Sequence, residues 1–207
     1  MQISSNMKRL IFATNNKHKL EEVRAALQGK VEVVSLQEIG LEGDIPETAD
    51  TLEGNAEQKA HWVWDRLQGM NTSADGCFAD DTGLEVDALG GAPGVYSARY
   101  AGEHCSFDDN VTKLLTALEG VDDRRARFRT VICLIVNGEE HCFEGRVEGQ
   151  ILRERHGVGG FGYDPVFLPD RFAVSFAEMP LDVKNSISHR GLAVEKLRRH
   201  LEENLEK

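Results

Sequence analysis

The sequence lacks the segments that mark membrane and secreted proteins. No part of the 207-residue chain approaches the ~20 consecutive apolar residues that cross a bilayer. The first apolar run, residues 10–13, is too short for the core of a signal peptide. We therefore expect a cytoplasmic protein with no membrane partner.

Cysteine is sparse, and its spacing does not predict a zinc site. The four cysteines contain no CxxC pair. Cys77 and Cys133 lie in apolar runs, so we expect both to be thiols in the core. The P-loop, the HExxH motif and the nucleophile elbow are also missing, which excludes the commonest signatures of phosphate transfer, zinc proteolysis and serine hydrolysis.

The chain has fewer basic residues than acidic ones. The chain has 24 Lys and Arg residues against 35 Asp and Glu residues, a formal net charge of −11. Nucleic-acid binding favours a basic face, so we expect no nucleic-acid partner. A small anionic ligand remains compatible with this charge because local lysines and a bound metal set the field at a site.

Helical and extended patterns alternate along the chain. The expected strands cover 9–13, 31–35, 77–79, 125–136 and 139–148. The expected helices cover 17–28, 51–67, 106–119, 179–184 and 192–201. Asn137-Gly138 between two alternating runs is typical of a β-hairpin. We predict one α/β domain over residues 1–207, with a mixed sheet flanked by helices.

Two adjacent carboxylates, Asp80 and Asp81, follow the short strand at 77–79, and Thr82 comes directly after them. Carboxylate oxygens in such a corner suit a hard cation such as Mg²⁺. A polar turn that caps a strand would explain the same pair. The glycine-rich loop at 90–94 favours the first interpretation, because it is expected to bring bare backbone near the acids.

Three further segments carry candidate binding groups. Residues 14–19 lie between a strand and a helix, where backbone N–H groups bind anions, although a simple N-cap turn has the same pattern. The segment 157–162 matches G-x-G-x-x-G, but Pro165 argues against the helix that a dinucleotide site requires. We interpret it as a loop that closes Phe161 on a flat ligand, with a mobile surface loop as the alternative. Residues 184–190 supply lysine, histidine and arginine donors, or form a solvated helix end.

These four weak signals suit one ligand, a nucleoside triphosphate. Acids would hold Mg²⁺, lysines would meet phosphate, an aromatic ring would stack on the base, and donors would contact its edge. At these residues the chain resembles the inosine triphosphate pyrophosphatase family, from about residue 10 to 197. The resemblance rests on four blocks, 14–19, 78–100, 160–165 and 188–191.

The resemblance implies hydrolysis of dITP, ITP, XTP and dXTP to the monophosphate and pyrophosphate. It implies Mg²⁺ dependence, with Mn²⁺ as the alternative metal, and a homodimer. It also implies an elongated mixed sheet with two lobes and a central active-site cleft. A pyrophosphatase for another modified nucleotide and a non-catalytic nucleotide sensor are the alternative functions.

The resemblance also assigns roles to residues. Asp81 matches the general base and a metal ligand, Glu47 matches a second metal ligand, and Lys59 matches a catalytic cation. The residues expected to bind substrate are Thr14, Asn15, Asn16, Lys17, His18, Lys19, Asn55, Thr82, Phe161, Gly162, Tyr163, Asp164, Lys184, His189 and Arg190. Among them Lys19 and Lys184 match phosphate-side cations, while 161–164 match the base-binding loop.

Base selection is expected to depend on hydrogen-bond polarity. Hypoxanthine and xanthine carry an acceptor at C6, whereas adenine carries a donor amino group. A donor from His189 or Arg190 facing C6 would pair with the first two bases and be left unpaired by the third. Guanine shares the 6-oxo group, so its exclusion requires a further element that this pattern does not supply.

Overall fold

The computed structural model describes residues 7–205, and they form an α/β fold with a mixed sheet. The strands are β1 (Lys8–Phe12), β2 (Val31–Ser35), β3 (Gly76–Val86), β4 (Pro93–Gly94), β5 (Arg125–Val136), β6 (Glu139–Ile151) and β7 (Phe167–Pro169). The helices are α1 (Lys17–Leu27), α2 (Leu52–Leu67), α3 (Phe107–Ala117), α4 (Leu181–Ile187) and α5 (His189–Leu205). These elements confirm the predicted fold class.

The strand order in the sheet is β2-β1-β3-β5-β6-β7, and β4 pairs with β3. β1 runs parallel to both β2 and β3, while β6 and β7 are antiparallel. The predicted hairpin forms between β5 and β6, with both turn residues, Asn137 and Gly138, at positive φ. That backbone conformation is the one that a two-residue turn between twisted strands favours.

The described chain divides into two compact units. The first unit comprises 7–80, 131–143 and 194–205, and the second comprises 81–130 and 144–193. The prediction of a single domain over 1–207 stays a prediction.

In the first unit, β1 is buried along its apolar residues, and Phe12 stacks on Phe78 with ring centroids 4.6 Å apart. Helix α2 begins after Thr51, whose side chain accepts a hydrogen bond from the N–H of Gly54. The apolar face of this helix is buried, which fixes its rotation about its own axis. That face consists of Leu52, Ala56, Ala60, Val63 and Leu67.

The second unit is built around Phe128, which contacts Phe167 edge-on at 4.7 Å and lies 6.1 Å from Phe176. Helix α3 begins with a capping box, in which the side chains of Ser106 and Asp109 each accept a hydrogen bond from the other's backbone N–H. Aromatic packing and a capped helix thus give this unit a core of its own.

Several predicted boundaries were wrong. Strand β3 extends to Val86 rather than ending at 79, so Asp80 and Asp81 lie within a strand and not in a capping turn. Helix α5 begins at His189 instead of 192. The loop 90–94 pairs through β4 with Leu84 and Glu85, and its predicted approach to the two aspartates stays a prediction. The length of β3 was underestimated because it contains buried polar residues, such as Asp80 and Asp81. They interrupt the alternation of apolar and polar residues by which a strand is recognised.

Cys77 is a buried free thiol, as expected, but the prediction for Cys133 was wrong. Cys133 is buried and joined to Cys142 by a disulfide, with Cα atoms 4.3 Å apart. The two residues face each other across the β5–β6 hairpin. No helix within residues 7–205 is both long and apolar enough to cross a membrane.

Candidate active site

The segment 14–19 forms the N-cap of α1. The Asn16 side chain accepts hydrogen bonds from the N–H groups of His18 and Lys19, at 3.0 and 3.2 Å. Thr14 Oγ accepts from the Asn16 N–H at 3.1 Å. The capping interpretation is therefore confirmed, and phosphate binding by this segment stays a prediction. Its Asn15, Lys17 and His18 side chains are exposed.

The Lys19 side chain leaves this cap and reaches β3. Its Nζ lies 2.9 Å from Asp80 Oδ1, and the two side chains are 15% and 1% exposed. A carboxylate this deeply buried requires such a partner, because an unpaired charge in the interior is strongly unfavourable. Lys19 thus supplies the opposite charge for the buried Asp80 carboxylate.

A second ion pair lies in the same unit, between Lys59 of α2 and Glu47 of the preceding loop. Lys59 is nearly buried, whereas the Glu47 side chain is 35% exposed. The loop is tied to α2 just beyond Glu47, since the Asn55 side chain accepts from the Ala49 N–H at 2.9 Å. Asn55 is 1% exposed. Its visible role is therefore to position the loop that carries Glu47.

These charges act on one another. We call Lys19, Glu47, Lys59 and Asp80 the acid–lysine cluster. Burial acts to raise the pKa of Glu47, but the charge and hydrogen bond of Lys59, together with the charge of Lys19, outweigh it. The nearby Asp80 opposes them, and the net pKa of Glu47 is lowered. Glu47 is consequently an ionised, partly exposed oxygen donor at neutral pH.

This donor set fits Mg²⁺, which prefers carboxylate oxygens and retains several of its waters. Glu47 offers ionised oxygens with access to solvent, and the two lysines of the acid–lysine cluster suit the phosphates that normally accompany this ion. The residue after Asp80 is Asp81, the predicted base, which is 7% exposed. Its predicted part in binding the metal stays a prediction.

In the second unit, β3 continues with Thr82, and this hydroxyl is shared by two elements. Its Oγ lies 2.7 Å from the Thr130 hydroxyl and accepts a hydrogen bond from Arg190 Nη2 at 3.2 Å. Thr82 and Arg190 are 108 positions apart in the sequence. The structure thus brings together two residues that were predicted to bind substrate.

Arg190 also lies beside the predicted base-binding loop. We call Phe161, Asp164, Lys184 and Arg190 the Phe161 cluster. The Arg190 guanidinium carbon is 5.6 Å from the centroid of the Phe161 ring, and Lys184 Nζ is 5.1 Å from it. Cations near an aromatic face are attracted by the electron-rich ring. The predicted phosphate-side Lys184 is therefore grouped with the base-binding loop.

Asp164 organises this cluster. Its Oδ2 accepts hydrogen bonds from the Phe161 N–H at 2.8 Å and from Lys184 Nζ at 2.7 Å. Both charged side chains are almost fully buried, 4% and 5% exposed. Asp164 thus fixes the loop backbone at the residue whose ring is predicted to stack on the base.

The loop can take this path only with glycine at position 160. Gly160 has a φ of +69°, and a Cβ built there would lie 2.1 Å from Asp164 Oδ2. Gly162, with a φ of +61°, would meet nothing within 4 Å. The two glycines therefore serve different purposes, close approach at Gly160 and backbone turning alone at Gly162.

Two other predicted residues have their side chains in the interior. The Tyr163 hydroxyl donates to the Ser97 carbonyl at 2.8 Å, and burial raises its pKa. The His189 ring stacks on Phe128, with centroids 4.5 Å apart. Both side chains support the core of the second unit, and their predicted contacts with substrate stay predictions.

Sequence reasoning missed the supporting roles of Gly145 and Asp80. A Cβ at Gly145 would lie 1.9 Å from the His189 carbonyl oxygen, so glycine allows the start of α5 to approach β6. An isolated glycine inside an alternating strand pattern signals such an approach. The paired carboxylates were seen, but the Lys19 partner of Asp80 is 61 positions away and carries no local signal.

The fold is that of known proteins. A solved structure of the Staphylococcus aureus Ham1 protein matches with a TM-score of 0.83 and 37% identity, covering 97% of this chain and all of that one. A HAM1 protein from Coxiella burnetii matches with the same TM-score and identity, covering 95% and 100%. These neighbours define the class as α/β proteins of the Ham1 fold.

The sequence matches are closer still. The model of the Ham1 family covers residues 10–200. A dITP/XTP pyrophosphatase of Porphyromonas gingivalis is 60% identical over 193 residues, 93% of this chain and 96% of that protein. One from Flavobacterium johnsoniae is 51% identical, covering 91% and 95%. The chain belongs to the Ham1 family.

Proposed function

We propose that this chain is a nucleoside-triphosphate pyrophosphatase that hydrolyses dITP, ITP, XTP and dXTP to the monophosphate and pyrophosphate. The observation that carries the proposal is the acid–lysine cluster, which combines an ionised, accessible carboxylate with two lysines. The relative from P. gingivalis, a dITP/XTP pyrophosphatase, supports the choice of substrates. The cellular role that follows is removal of non-canonical purine nucleotides from the precursor pool.

The chain's own residues have distinct tasks in this reaction. Asp81 orients a water molecule and accepts its proton as the oxygen attacks the α-phosphorus. Lys19 and Lys59 stabilise negative charge on the oxygen that bridges to the departing pyrophosphate. Bound Mg²⁺ would be held by Glu47 and Asp81 and would offset the charge of the triphosphate.

The Phe161 cluster is proposed to bind the base. The Phe161 ring supplies a flat apolar surface, and Asp164 fixes the backbone of Phe161 through a hydrogen bond. Arg190 and His189 are proposed to donate to the 6-oxo group of hypoxanthine or xanthine. Adenine presents a donor there, and each mispaired buried donor costs about 1–3 kcal/mol. Two such contacts give about 10²–10⁴-fold selection against ATP.

A panel of nucleoside triphosphates tests this function. The purified chain is incubated with ITP, dITP, XTP, ATP, GTP and modified pyrimidine triphosphates in the presence of Mg²⁺. Pyrophosphate and orthophosphate are then assayed separately. We expect pyrophosphate from the non-canonical purines and little from ATP. Binding without cleavage would instead identify a sensor, and cleavage confined to pyrimidines would identify another pyrophosphatase.

Asp81→Asn tests the proposed base. Its turnover of ITP should fall by about 10²–10⁴-fold, because a positioned base contributes about that much, while ITP affinity is retained. Rates and calorimetric binding are measured on the same preparation. The control is Asp122→Asn, a change at a fully exposed carboxylate, which should leave both quantities unchanged. Turnover at the wild-type rate in Asp81→Asn would show that Asp81 is not the general base.

The homodimer, the cytoplasmic location and the use of Mg²⁺ or Mn²⁺ belong to the same proposal. The dimer and the metal requirement are the expectations that the resemblance described in the sequence analysis implies. Analytical ultracentrifugation measures the oligomeric state, and activity after chelation and readdition of each metal measures the cofactor requirement. We expect a dimer whose activity is lost on chelation and restored by Mg²⁺.

A further inference from the structure

Four potential metal ligands meet on the first unit, among residues with no part in the proposed reaction. We call Glu57, Cys133, Glu140 and Cys142 the thiol–carboxylate cluster. Each offers one ligand atom, and these atoms all lie within 4.8 Å of one another. Two sulfurs and two carboxylate oxygens form a different donor set from the all-oxygen set proposed for Mg²⁺.

The fold produces this cluster from three elements. The β5–β6 hairpin places Cys133 opposite Cys142 with Cα atoms 4.3 Å apart. Glu140 and Cys142 are two positions apart on β6, so they share one face of the strand. Glu57 lies on α2, one helical turn before His61. The ligands are therefore held by regular secondary structure, not by a loop.

A hydrogen bond with His61 orients the Glu140 carboxylate. One oxygen of Glu140 is 2.6 Å from His61 Nε2, and the other lies 3.9 Å from Cys142 Sγ. A ligand whose second polar atom is held by a neighbouring side chain is typical of metal sites, because that contact fixes its orientation. His61 would then be a positioning residue outside the ligand set.

We propose that the thiol–carboxylate cluster binds Zn²⁺ when Cys133 and Cys142 are reduced. Zn²⁺ takes thiolate and carboxylate ligands and favours four of them in a tetrahedral arrangement. Mg²⁺ is disfavoured because it prefers oxygen ligands and octahedral geometry. The disulfide and the metal exclude each other, since the same two sulfurs are needed for both.

The exchange between the two states is balanced. A dithiol reductant transfers two electrons and two protons to the Cys133–Cys142 bond, and is itself oxidised to a cyclic disulfide. Zn²⁺ then displaces the two thiol protons, giving two zinc–thiolate bonds and releasing two protons to solvent. In either state the two strands stay cross-linked, and the zinc state also attaches α2 through Glu57.

Cobalt titration of the full chain tests the site. The chain is reduced with dithiothreitol, desalted under argon and titrated with Co²⁺, whose thiolate charge-transfer and tetrahedral ligand-field bands report the ligands. Zn²⁺ is then added to displace the cobalt. We expect one Co²⁺ per reduced chain, full displacement by Zn²⁺, and no such bands from the oxidised chain.

Variants separate the cluster from other thiols. Cys142→Ser should abolish the charge-transfer band expected for two thiolates, and Glu57→Gln should weaken binding while leaving both thiols intact. His61→Ala should weaken binding by about 10–100-fold, the usual effect of losing a group that orients a ligand. Cys105→Ser, a change at a free thiol outside the cluster, is the matched control and should have no effect.

Three results would overturn the proposal. They are absence of the bands from the reduced wild-type chain, the same bands from reduced Cys142→Ser, and equal affinity in the wild type and Glu57→Gln. Circular dichroism of each variant confirms that it is folded. The readout does not depend on nucleotide hydrolysis, so this site and the proposed function can fail independently.

Discussion

Two lysine–carboxylate pairs in this chain have the same chemistry and different surroundings. In the first unit Lys59 contacts Glu47, whose side chain is 35% exposed. In the second unit Lys184 contacts Asp164, whose side chain is 5% exposed. The Asp164 oxygen that meets Lys184 also accepts the Phe161 N–H.

The difference in exposure suits the two carboxylates to different tasks, binding a ligand and supporting a loop. A carboxylate that is ionised and open to solvent can exchange its partner for a metal ion. A carboxylate buried between a lysine and a backbone N–H cannot be removed without leaving a charge unpaired in the interior. The exposed Glu47 pair therefore suits the proposed metal binding, and the Asp164 pair positions the loop. The predicted contact of Asp164 with substrate stays a prediction.

The largest expected effect is on stability, where the two pairs should differ clearly. Asp164→Asn should lower the free energy of unfolding by about 3–5 kcal/mol, because it removes the negative charge that contacts the buried Lys184. Glu47→Gln should cost about 1 kcal/mol, since the pair is partly solvated and the amide oxygen still accepts a hydrogen bond. Thermal denaturation should show decreases of about 6–20 °C and about 2–4 °C respectively.

The dependence of activity on Mg²⁺ should be affected by Glu47→Gln and not by Asp164→Asn, the opposite of their order in stability. Glu47→Gln is expected to require more Mg²⁺ for half-maximal turnover, whereas residual Asp164→Asn enzyme is expected to need the wild-type concentration. Equal loss of melting temperature in both variants, or an unchanged Mg²⁺ requirement in Glu47→Gln, would erase the distinction between the pairs.

A smaller effect is expected from the glycine beside Asp164. Gly160→Ala introduces a Cβ against Asp164 Oδ2, whereas Gly90→Ala introduces one into open space at a similar φ of +63°. The backbone conformation alone costs alanine about 1–2 kcal/mol. Gly160→Ala should cost about 1 kcal/mol more, because it disturbs the hydrogen bonds to Asp164. Chemical denaturation of both variants measures the difference.

Gly160→Ala should also raise the KM for ITP, since Phe161 is displaced with its loop. Gly90→Ala should leave the KM unchanged. If the two variants have the same stability and the same KM, Asp164 does not constrain the loop in the way that the Phe161 cluster indicates.

The smallest expected effect is a pH dependence of the Glu47 pair. The pKa of Glu47 is lowered from its ordinary value of 4.5, so the folded state binds this proton less tightly than the unfolded state. The stabilisation is present above 4.5 and is lost as the pH falls through the lower, folded-state pKa. The melting temperatures of the wild type and Glu47→Gln should therefore converge on acidification. A difference that stays constant or grows would contradict the assigned direction.

Local patterns predicted most of the secondary structure. The strand at Val31–Ser35 and the strand that opens the hairpin at Arg125 were predicted to the residue, because apolar runs and an Asn-Gly turn define them. Helix α2 was predicted within one residue, since its apolar face repeats every three to four positions. The candidate site residues came from short motifs with family resemblance, and their grouping into clusters came only from the fold.

What escaped prediction depends on partners distant in sequence. Lys19 and Asp80 are 61 positions apart, so no local pattern pairs them. The disulfide was not predicted, because Cys133 lies in an apolar run that is typical of a buried strand. Its pairing with Cys142 depends on the register of the hairpin. The ion pair between Asp164 and Lys184 was not predicted, because the two residues are 20 positions apart. In each case tertiary context decides the role of a side chain whose type alone leaves it open.

Helix α2 carries Lys59 and also holds, through Asn55, the backbone beside Glu47. One helix therefore supplies the ammonium group and anchors the loop that bears its carboxylate partner. An incoming cation that competes with this ammonium group would meet a carboxylate whose loop is already held in place.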